Sequence, residues 1–128
     1  MWYGTLGIAR DDKAGRDDIV QQNIVSYNAP VLLLCYTERS FTEPQWADLG
    51  MWLQTVMLLL REEGLDSCAQ QFMTFYSRLI KQEIGISDDE FILYTGLAIE
   101  HRDPDKPVNN FERPRAPLDE QVRFLGFE

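Results

Sequence analysis

The chain is poor in residue types on which several common kinds of protein chemistry depend. Its 128 residues include a single histidine, His101, and only two cysteines, Cys35 and Cys68. One histidine cannot complete a catalytic triad or a zinc site, so protease and zinc hydrolase chemistry are not expected, nor is a metal site. The two cysteines lie among apolar neighbours, which predicts free, buried thiols in a reducing cytoplasm rather than a disulfide.

Positive charge is also scarce. The chain has 12 lysines and arginines against 21 aspartates and glutamates, a formal net charge of −9. A nucleic-acid partner is not expected, because phosphate contact needs clustered positive charge. There is no charged and then apolar leader, and the apolar run from Met51 to Leu60 is too short for the ~20 residues of a membrane span. These absences predict a cytoplasmic protein with no membrane partner.

The segment from Glu43 to Gly64 predicts a long helix. Thr42 or Glu43 can cap its first turn, Pro44 suits the start of a helix, and Gly64 suits a left-handed residue at the end. Apolar residues cover nearly every face, which is typical of a helix buried in a core, in a partner or in a membrane. Since the membrane is excluded by length, we expect a central helix in a core that continues into a second subunit.

The remaining pattern predicts one α+β domain spanning residues 1–128. A helix is expected near residues 10–22, and strands buried on both faces are expected at 31–37 and 91–99. Residues 65–71 form a loop or a short strand, and residues 72–84 have helical spacing, with Lys81 on the polar side. Gly96 indicates a bulge or a close approach inside the second strand. From residue 101 onward, prolines predict an extended arm, and its apolar end is expected to pack against another protein surface.

Arg113 and Arg115 are the candidate anion-binding residues. They flank Pro114, which keeps the backbone extended, and guanidinium groups bind phosphate in a bidentate manner. The alternative is that they form ordinary surface ion pairs with Asp119, Glu120 or other carboxylates, and composition alone favours this alternative.

Aromatic and amide side chains give weaker signals. Trp46 and Trp52 lie nearly two turns apart on the predicted central helix, where they could stack on a planar ligand, although core or interface packing explains them better. Gln70 and Gln71 follow this helix at a point where backbone N–H groups could meet a ligand, but composition alone favours ordinary loop glutamines. His101 is expected to be a solvated residue at the end of a strand.

Several stretches, taken together and in order, resemble the nitroreductase family of flavin mononucleotide (FMN) enzymes. The similarity covers nearly the whole chain and rests on these pieces: Ile8 to Asp12, Ala29 to Leu33, Trp46 to Gly50, Leu58 to Leu65, Ile84 to Ile86, Asn109 to Arg115, and Pro117 to Glu120. The resemblance implies a mainly antiparallel sheet packed with helices and an intimate homodimer whose central helices meet at the interface. It also implies that the arm of residues 101–128 embraces the partner subunit.

The same resemblance implies a cofactor site. By position, Ala69, Gln70 and Gln71 would lie beside the flavin ring, and Arg113 and Arg115 would bind its phosphate. No catalytic side chain is expected, because the flavin supplies the redox chemistry. The implied activity is transfer of hydride from NAD(P)H through FMN to a nitroaromatic, quinone or related small-molecule acceptor.

One departure from the family pattern concerns the beginning of the chain. Family members open with an arginine-rich helix that grips the phosphate and ribityl chain, and that segment has no counterpart here. We therefore expect FMN to be bound weakly or lost in purification. The alternative function is a truncated, non-catalytic dimeric scaffold with a vestigial flavin pocket, and a third possibility is that another polypeptide supplies the missing part.

Overall fold

A three-stranded antiparallel sheet forms the centre of the computed structural model, which describes residues 2–110, 112 and 114–126. The strands have the order β1-β3-β2. The elements, in chain order, are α1 (Trp2–Thr5), α2 (Lys13–Ile24), a 3₁₀ turn (Ser26–Asn28), β1 (Val31–Glu38), α3 (Glu43–Glu62), β2 (Asp66–Gln70), a 3₁₀ helix (Gln71–Tyr76), α4 (Ser77–Glu83), β3 (Phe91–Glu100), α5 (Pro107–Asn110) and α6 (Leu118–Gln121). This arrangement confirms the predicted α+β class.

The strand β3 carries the core of the chain. It pairs with β1 from Val31 opposite Ile99 to Glu38 opposite Phe91, and with β2 from Asp66 opposite Glu100 to Gln70 opposite Gly96. Leu97 has no exposed surface, and Leu93 and Ala98 are each 3% exposed. The consecutive residues from Thr95 to Ile99 are all buried, so both faces of this part of the strand are covered, which confirms the prediction for this part of residues 91–99.

The strand β1 is less buried than the sequence predicts. Val31 is 52% exposed and Tyr36 is 42% exposed, so the expectation of burial on both faces is wrong for the chain by itself. Among the described residues β1 is an edge strand, and fewer elements pack over its side chains than over those of β3. Its register with β3 shifts between Cys35 and Tyr36. This irregularity changes the direction of the second half of the strand.

The helix α3 begins and ends as predicted. The backbone N–H of Thr42 donates to Gln45 Oε1 at 3.0 Å, and the hydroxyl of Thr42 donates to the same oxygen at 2.8 Å. At the other end Gly64 has φ +77°, and the N–H of Leu65 donates to the carbonyl of Leu60 at 2.9 Å. These are the bonds of a helix closed by a left-handed residue, which satisfy carbonyl groups that have no partner within the helix.

Burial of α3 differs from expectation. None of its residues is buried within the chain, and Met51 and Leu58 are 62% and 60% exposed. The rest of the chain therefore covers only part of the apolar surface of α3. Its burial in a second subunit stays a prediction.

The helix α2 is capped by Asp12, whose Oδ1 accepts a hydrogen bond from the N–H of Gly15 at 2.9 Å. The close approach of this carboxylate explains the glycine. A Cβ added at residue 15 would lie 2.5 Å from Asp12 Oδ2, so any larger residue would displace the cap.

The predicted helix over residues 72–84 is divided into two elements. Residues Gln71–Tyr76 form the 3₁₀ helix and Ser77–Glu83 form α4. The change in helix type alters the rotation per residue, so the single helical spacing assumed from the sequence does not apply. As a result Lys81, expected on the polar side, is 1% exposed.

Residues after β3 form the extended arm. It contains the short helices α5 and α6, and the described side chains of Leu118, Phe124 and Leu125 are 64%, 64% and 71% exposed. The role of residues 101–128 as an arm that embraces a partner stays a prediction. Across the described part of the chain, no helix is both long and apolar enough to span a membrane.

Candidate functional site

The junction between β2 and the 3₁₀ helix holds three of the five predicted binding residues. Ala69 and Gln70 are the last two residues of β2, and Gln71 is the first residue of the 3₁₀ helix. The segment is therefore a strand and not a loop, which settles the alternative left open by the sequence. The strand forms because residues 66–70 pair with β3 along their whole length.

Gln70 differs from its neighbours in burial. Its side chain is 3% exposed, whereas Ala69 and Gln71 are exposed. Neither Nε2 nor Oε1 of Gln70 has a hydrogen-bond partner. An unpaired buried amide costs about 1–3 kcal/mol per group, so native structures keep few of them without a reason.

The sheet position opposite Gln70 is tightly packed. Gln70 lies opposite Gly96, so both residues face the same side of the sheet. A Cβ at Gly96 would lie 2.9 Å from Met73 Cγ and 3.2 Å from Leu32 Cδ1, which confirms the close approach predicted for this glycine. The two side chains nearest to this position, Met73 and Leu32, are apolar.

The two other site candidates lie in the arm. Arg115 is exposed, and its Nη1 donates to the carbonyl of Pro114 at 3.4 Å. Arg113 lies outside the described residues. The assignment of both arginines to an anion, and to the same site as the β2 junction, stays a prediction.

The tryptophans of α3 have different environments. Trp46 packs against Tyr94 of β3, with ring centroids 5.8 Å apart, so it serves as a contact between the helix and the sheet. Trp52 is 47% exposed and lines an open cavity of about 230 Å³ together with Leu34, Cys35, Tyr36 and Leu49. Packing thus accounts for Trp46, whereas Trp52 remains available to a partner or a ligand.

Neither cysteine is part of a disulfide, as predicted, but only one of the thiols is buried. Burial raises the pKa of the Cys35 thiol, which keeps it protonated and unreactive. Cys68 is exposed, so the expectation of a second buried thiol is wrong. It lies on β2, which is at the edge of the described sheet and is covered less than β3. His101 is exposed directly after β3, as predicted.

A polar cluster that the sequence did not reveal joins three elements near the start of β3. The Lys81 ammonium forms an ion pair with Asp88 and donates to the carbonyl of Phe91 at 2.9 Å. Arg39 donates from Nε to the carbonyl of Asp88 at 2.8 Å. The hydrogen bond from Lys81, assisted by the charges of Arg39 and Arg78, holds the pKa of Asp88 below its ordinary value. The cluster satisfies a buried lysine and fixes the turn before β3, which is a structural role.

Comparison with known proteins assigns the family. A profile of the nitroreductase family matches residues 13–98, and the chain belongs to that family. It is 30% identical to a 4-nitrobenzoate reductase of Pseudomonas putida over 128 residues, which are 100% of this chain and 56% of the relative.

Two solved structures have the same fold. An FMN- and NADPH-dependent nitroreductase, NfnB from Sphigopyxis sp. strain HMH, matches 98% of this chain and 56% of its own, with 51% identity and a TM-score of 0.93. The FMN-dependent NfnB of Mycobacterium smegmatis in complex with NADPH matches 97% of this chain and 55% of its own, with 29% identity and a TM-score of 0.90. The chain thus spans little more than half the length of these relatives.

Proposed function

We propose that the chain is the larger part of an FMN-dependent oxidoreductase that passes hydride from NAD(P)H to a nitroaromatic, quinone or related acceptor. The observation that carries the proposal is the match to the FMN- and NADPH-dependent nitroreductase of Sphigopyxis, at 51% identity over 98% of this chain. Bound FMN would supply the redox chemistry, and the protein would bind and orient it.

The residues at the end of β2 have side chains that suit the binding of a flavin ring. Ala69 presents a small exposed side chain that lets a planar ring approach the strand, and Gln71 is an exposed amide next to it. The buried amide of Gln70 holds an unpaired donor and an unpaired acceptor. An isoalloxazine ring has a polar edge of alternating acceptors and one N–H, so this amide has complementary groups.

Arg113 and Arg115 are proposed to hold the phosphate of the cofactor. Arg115 belongs to an exposed and extended part of the chain. A charge-assisted hydrogen bond contributes about 1.5–3 kcal/mol, which makes the two arginines the main source of binding free energy among the predicted contacts.

We also propose that the protein acts as a homodimer assembled through α3. Met51, Trp52, Leu58 and Leu59 of α3 are all between 47% and 62% exposed within one chain. A contiguous apolar surface of this kind is costly to leave in water, at ~25 cal/mol per Å². A second copy offers the same surface, so both helices would be covered at once.

FMN titration followed by an activity assay tests the proposal. We expect FMN to be lost in purification and to rebind when added, with NAD(P)H oxidation appearing only in the presence of FMN and an acceptor. The double variant Arg113→Gln/Arg115→Gln should bind FMN at least ~10-fold more weakly, since at least one charged contact is removed. As a control, Arg10→Gln/Arg123→Gln removes the same charge elsewhere and should leave FMN binding unchanged. Absence of binding at ~1 mM FMN, a limit equivalent to about 4 kcal/mol, would leave the dimeric scaffold as the function.

A further inference from the structure

A polar cluster around Asp66 joins the end of α3, the start of β2 and the first residues of the arm. The carboxylate forms an ion pair with Arg61 of α3, with Asp66 Oδ1 2.7 Å from Arg61 Nη1. Its other oxygen accepts a hydrogen bond from the backbone N–H of Arg102 at 3.4 Å and lies 4.0 Å from Nε of the same arginine. The Asp66 side chain is only 25% exposed, so solvent screens these contacts less than those of a fully exposed pair.

The contacts of Asp66 begin where the pairing of the strands ends. Asp66 lies opposite Glu100, the last residue of β3, and Arg102 lies two residues beyond it. Backbone beyond the end of a strand has lost the hydrogen bonds of the sheet, so its direction depends on contacts with side chains. Asp66 provides such contacts through one carboxylate oxygen, which holds Arg102 against the sheet.

The next part of the arm is braced by its own hydrogen bonds. The side-chain amide of Asn109 donates to the carbonyl of Asp103 at 2.8 Å, and the side-chain amide of Asn110 donates to the carbonyl of Pro104. Each bond joins residues six positions apart and closes the segment on itself. Residues 103–110 therefore form an elbow, which carries the direction set at its beginning to the chain that follows.

Asp66 lies on the same strand as the predicted contacts with the flavin ring. It is the first residue of β2 and Gln70 is the last, a separation of ~13 Å at ~3.3 Å per residue. The strand pairs with β3 along its whole length, so both ends move with the sheet. An arm attached at one end of β2 thus has a defined direction relative to the other end.

We propose that Asp66 is a positioning residue that fixes the direction in which the arm leaves the sheet and thereby places Arg115 for the phosphate of the cofactor. Without this attachment the arm samples more directions, and binding an anion through it costs more conformational entropy. The effect on the cofactor rests on the proposed function, whereas the attachment of the arm to Asp66 does not.

Amide hydrogen exchange tests the attachment directly. In Asp66→Ala, exchange over residues 101–110 should be faster by about 5-fold or more, because Arg102 loses its acceptor and the elbow loses its anchor. Exchange over residues 91–99 of β3 should be unchanged, which separates loosening of the arm from a general loss of stability. As a control, Asp89→Ala removes the same charge from an exposed turn and should leave both regions unchanged.

A second variant removes the contact from the side of the arm. Arg102→Gln should also speed exchange over residues 101–110, and the double variant Asp66→Ala/Arg102→Gln should exchange no faster than Asp66→Ala, because both changes break one contact. If Asp66→Ala does not fold, Arg102→Gln decides the question by the same measurement. Unchanged exchange in the variants that fold would overturn the inference.

Titration with FMN tests the positioning role. Asp66→Ala should raise the dissociation constant for FMN by about 3-fold or more, and Asp89→Ala should bind FMN as the wild type does. Faster exchange with unchanged FMN affinity would show that Asp66 holds the arm without placing Arg115, which would overturn this role and leave the proposed function intact. If the wild type binds no FMN, the proposed function and the positioning role fail together, and the exchange rates still decide whether Asp66 anchors the arm.

Discussion

The strand β3 and the helix α3 both carry long apolar stretches, yet their environments differ. Leu97 of β3 has no exposed surface, while Leu58 of α3 is 60% exposed. The strand has a neighbour on each side and helical elements over its faces, whereas α3 contacts the rest of the chain only along part of its length. An apolar stretch is thus covered within the chain only where the topology brings other elements to all of its sides. We propose that a second copy of the chain covers the apolar surface of α3 that is exposed within one chain.

The largest expected effect concerns β3. Leu97→Ala should reduce the free energy of unfolding by about 2–5 kcal/mol, because it removes a fully buried side chain and leaves a cavity. Leu58→Ala in α3 is the matched change at an exposed position, and its effect should depend on protein concentration. Urea unfolding at several protein concentrations measures both. If the two variants lost the same free energy at every concentration, the contrast between the two elements would not hold.

The next effect concerns assembly through α3. The double variant Leu58→Glu/Leu59→Glu should raise the dimer dissociation constant by about 100-fold or more, since each buried leucine contributes roughly 1.5–3 kcal/mol. Sedimentation equilibrium measures the change. Val20→Glu/Ile24→Glu places the same two charges on exposed apolar positions of α2 and should leave the dimer unaffected. A wild-type protein that is a stable monomer at micromolar concentration would remove the basis of the comparison.

A smaller effect is expected at Gly96 in the middle of β3. Gly96→Ala should destabilise the fold by about 1–3 kcal/mol, because the added methyl group would lie 2.9 Å from Met73 Cγ. Gly50→Ala in α3 provides the comparison, since an added Cβ there has no neighbour within 4 Å in the chain. That substitution should be neutral or stabilising by about 0.5–1 kcal/mol, because alanine favours a helix. Thermal melting measures the stability of both variants. A Gly96→Ala variant more stable than the wild type would show that the Met73 side chain repacks without loss of stability.

The smallest effect is a dependence of stability on pH at Asp88. The pKa of this group is lowered in the folded protein, so its contribution is present above the ordinary aspartate pKa of 3.8 and is lost as the pH falls through the folded value. Asp88→Asn should melt lower than the wild type at pH 7, and the two curves should converge on acidification below about pH 4. Asp89→Asn in the same turn is the control. Curves that stay parallel down to the acid transition would mean that the ion pair with Lys81 does not contribute.

Several parts of the fold could be predicted from local sequence. The helix α3 was predicted closely because Thr42 and Gly64 provide local capping and termination signals, and β3 because its apolar residues continue without interruption. The identity of the family also followed from the order of short pieces along the chain. In contrast, the left-handed backbone of Ser26, Tyr27 and Asn28, with φ between 52° and 61°, has no glycine to indicate it.

The sequence predicted which residues are candidates for the site but not the environments of their side chains. The sequence placed Ala69, Gln70 and Gln71 next to one another beyond α3, but it could not distinguish the buried amide of Gln70 from the exposed amide of Gln71. That difference depends on the alternation of side chains along β2 and on the packing of Met73 against Gly96, which are contacts between segments distant in sequence. The burial of Lys81 was missed because the change from a 3₁₀ helix to an α-helix at Ser77 alters the rotation per residue, so a single helical spacing places Lys81 on the wrong side.

The sequence by itself thus determined the family, the bounds of the capped helix and the strands in the core, since caps, turns and apolar runs act within a few residues. The tertiary structure decided which apolar surfaces are covered and which polar groups are buried. Those outcomes depend on the pairing of β3 with both neighbours and on the change from a 3₁₀ to an α-helix at Ser77. Burial is a property of the assembled elements, so the same leucine is enclosed in β3 and exposed on α3.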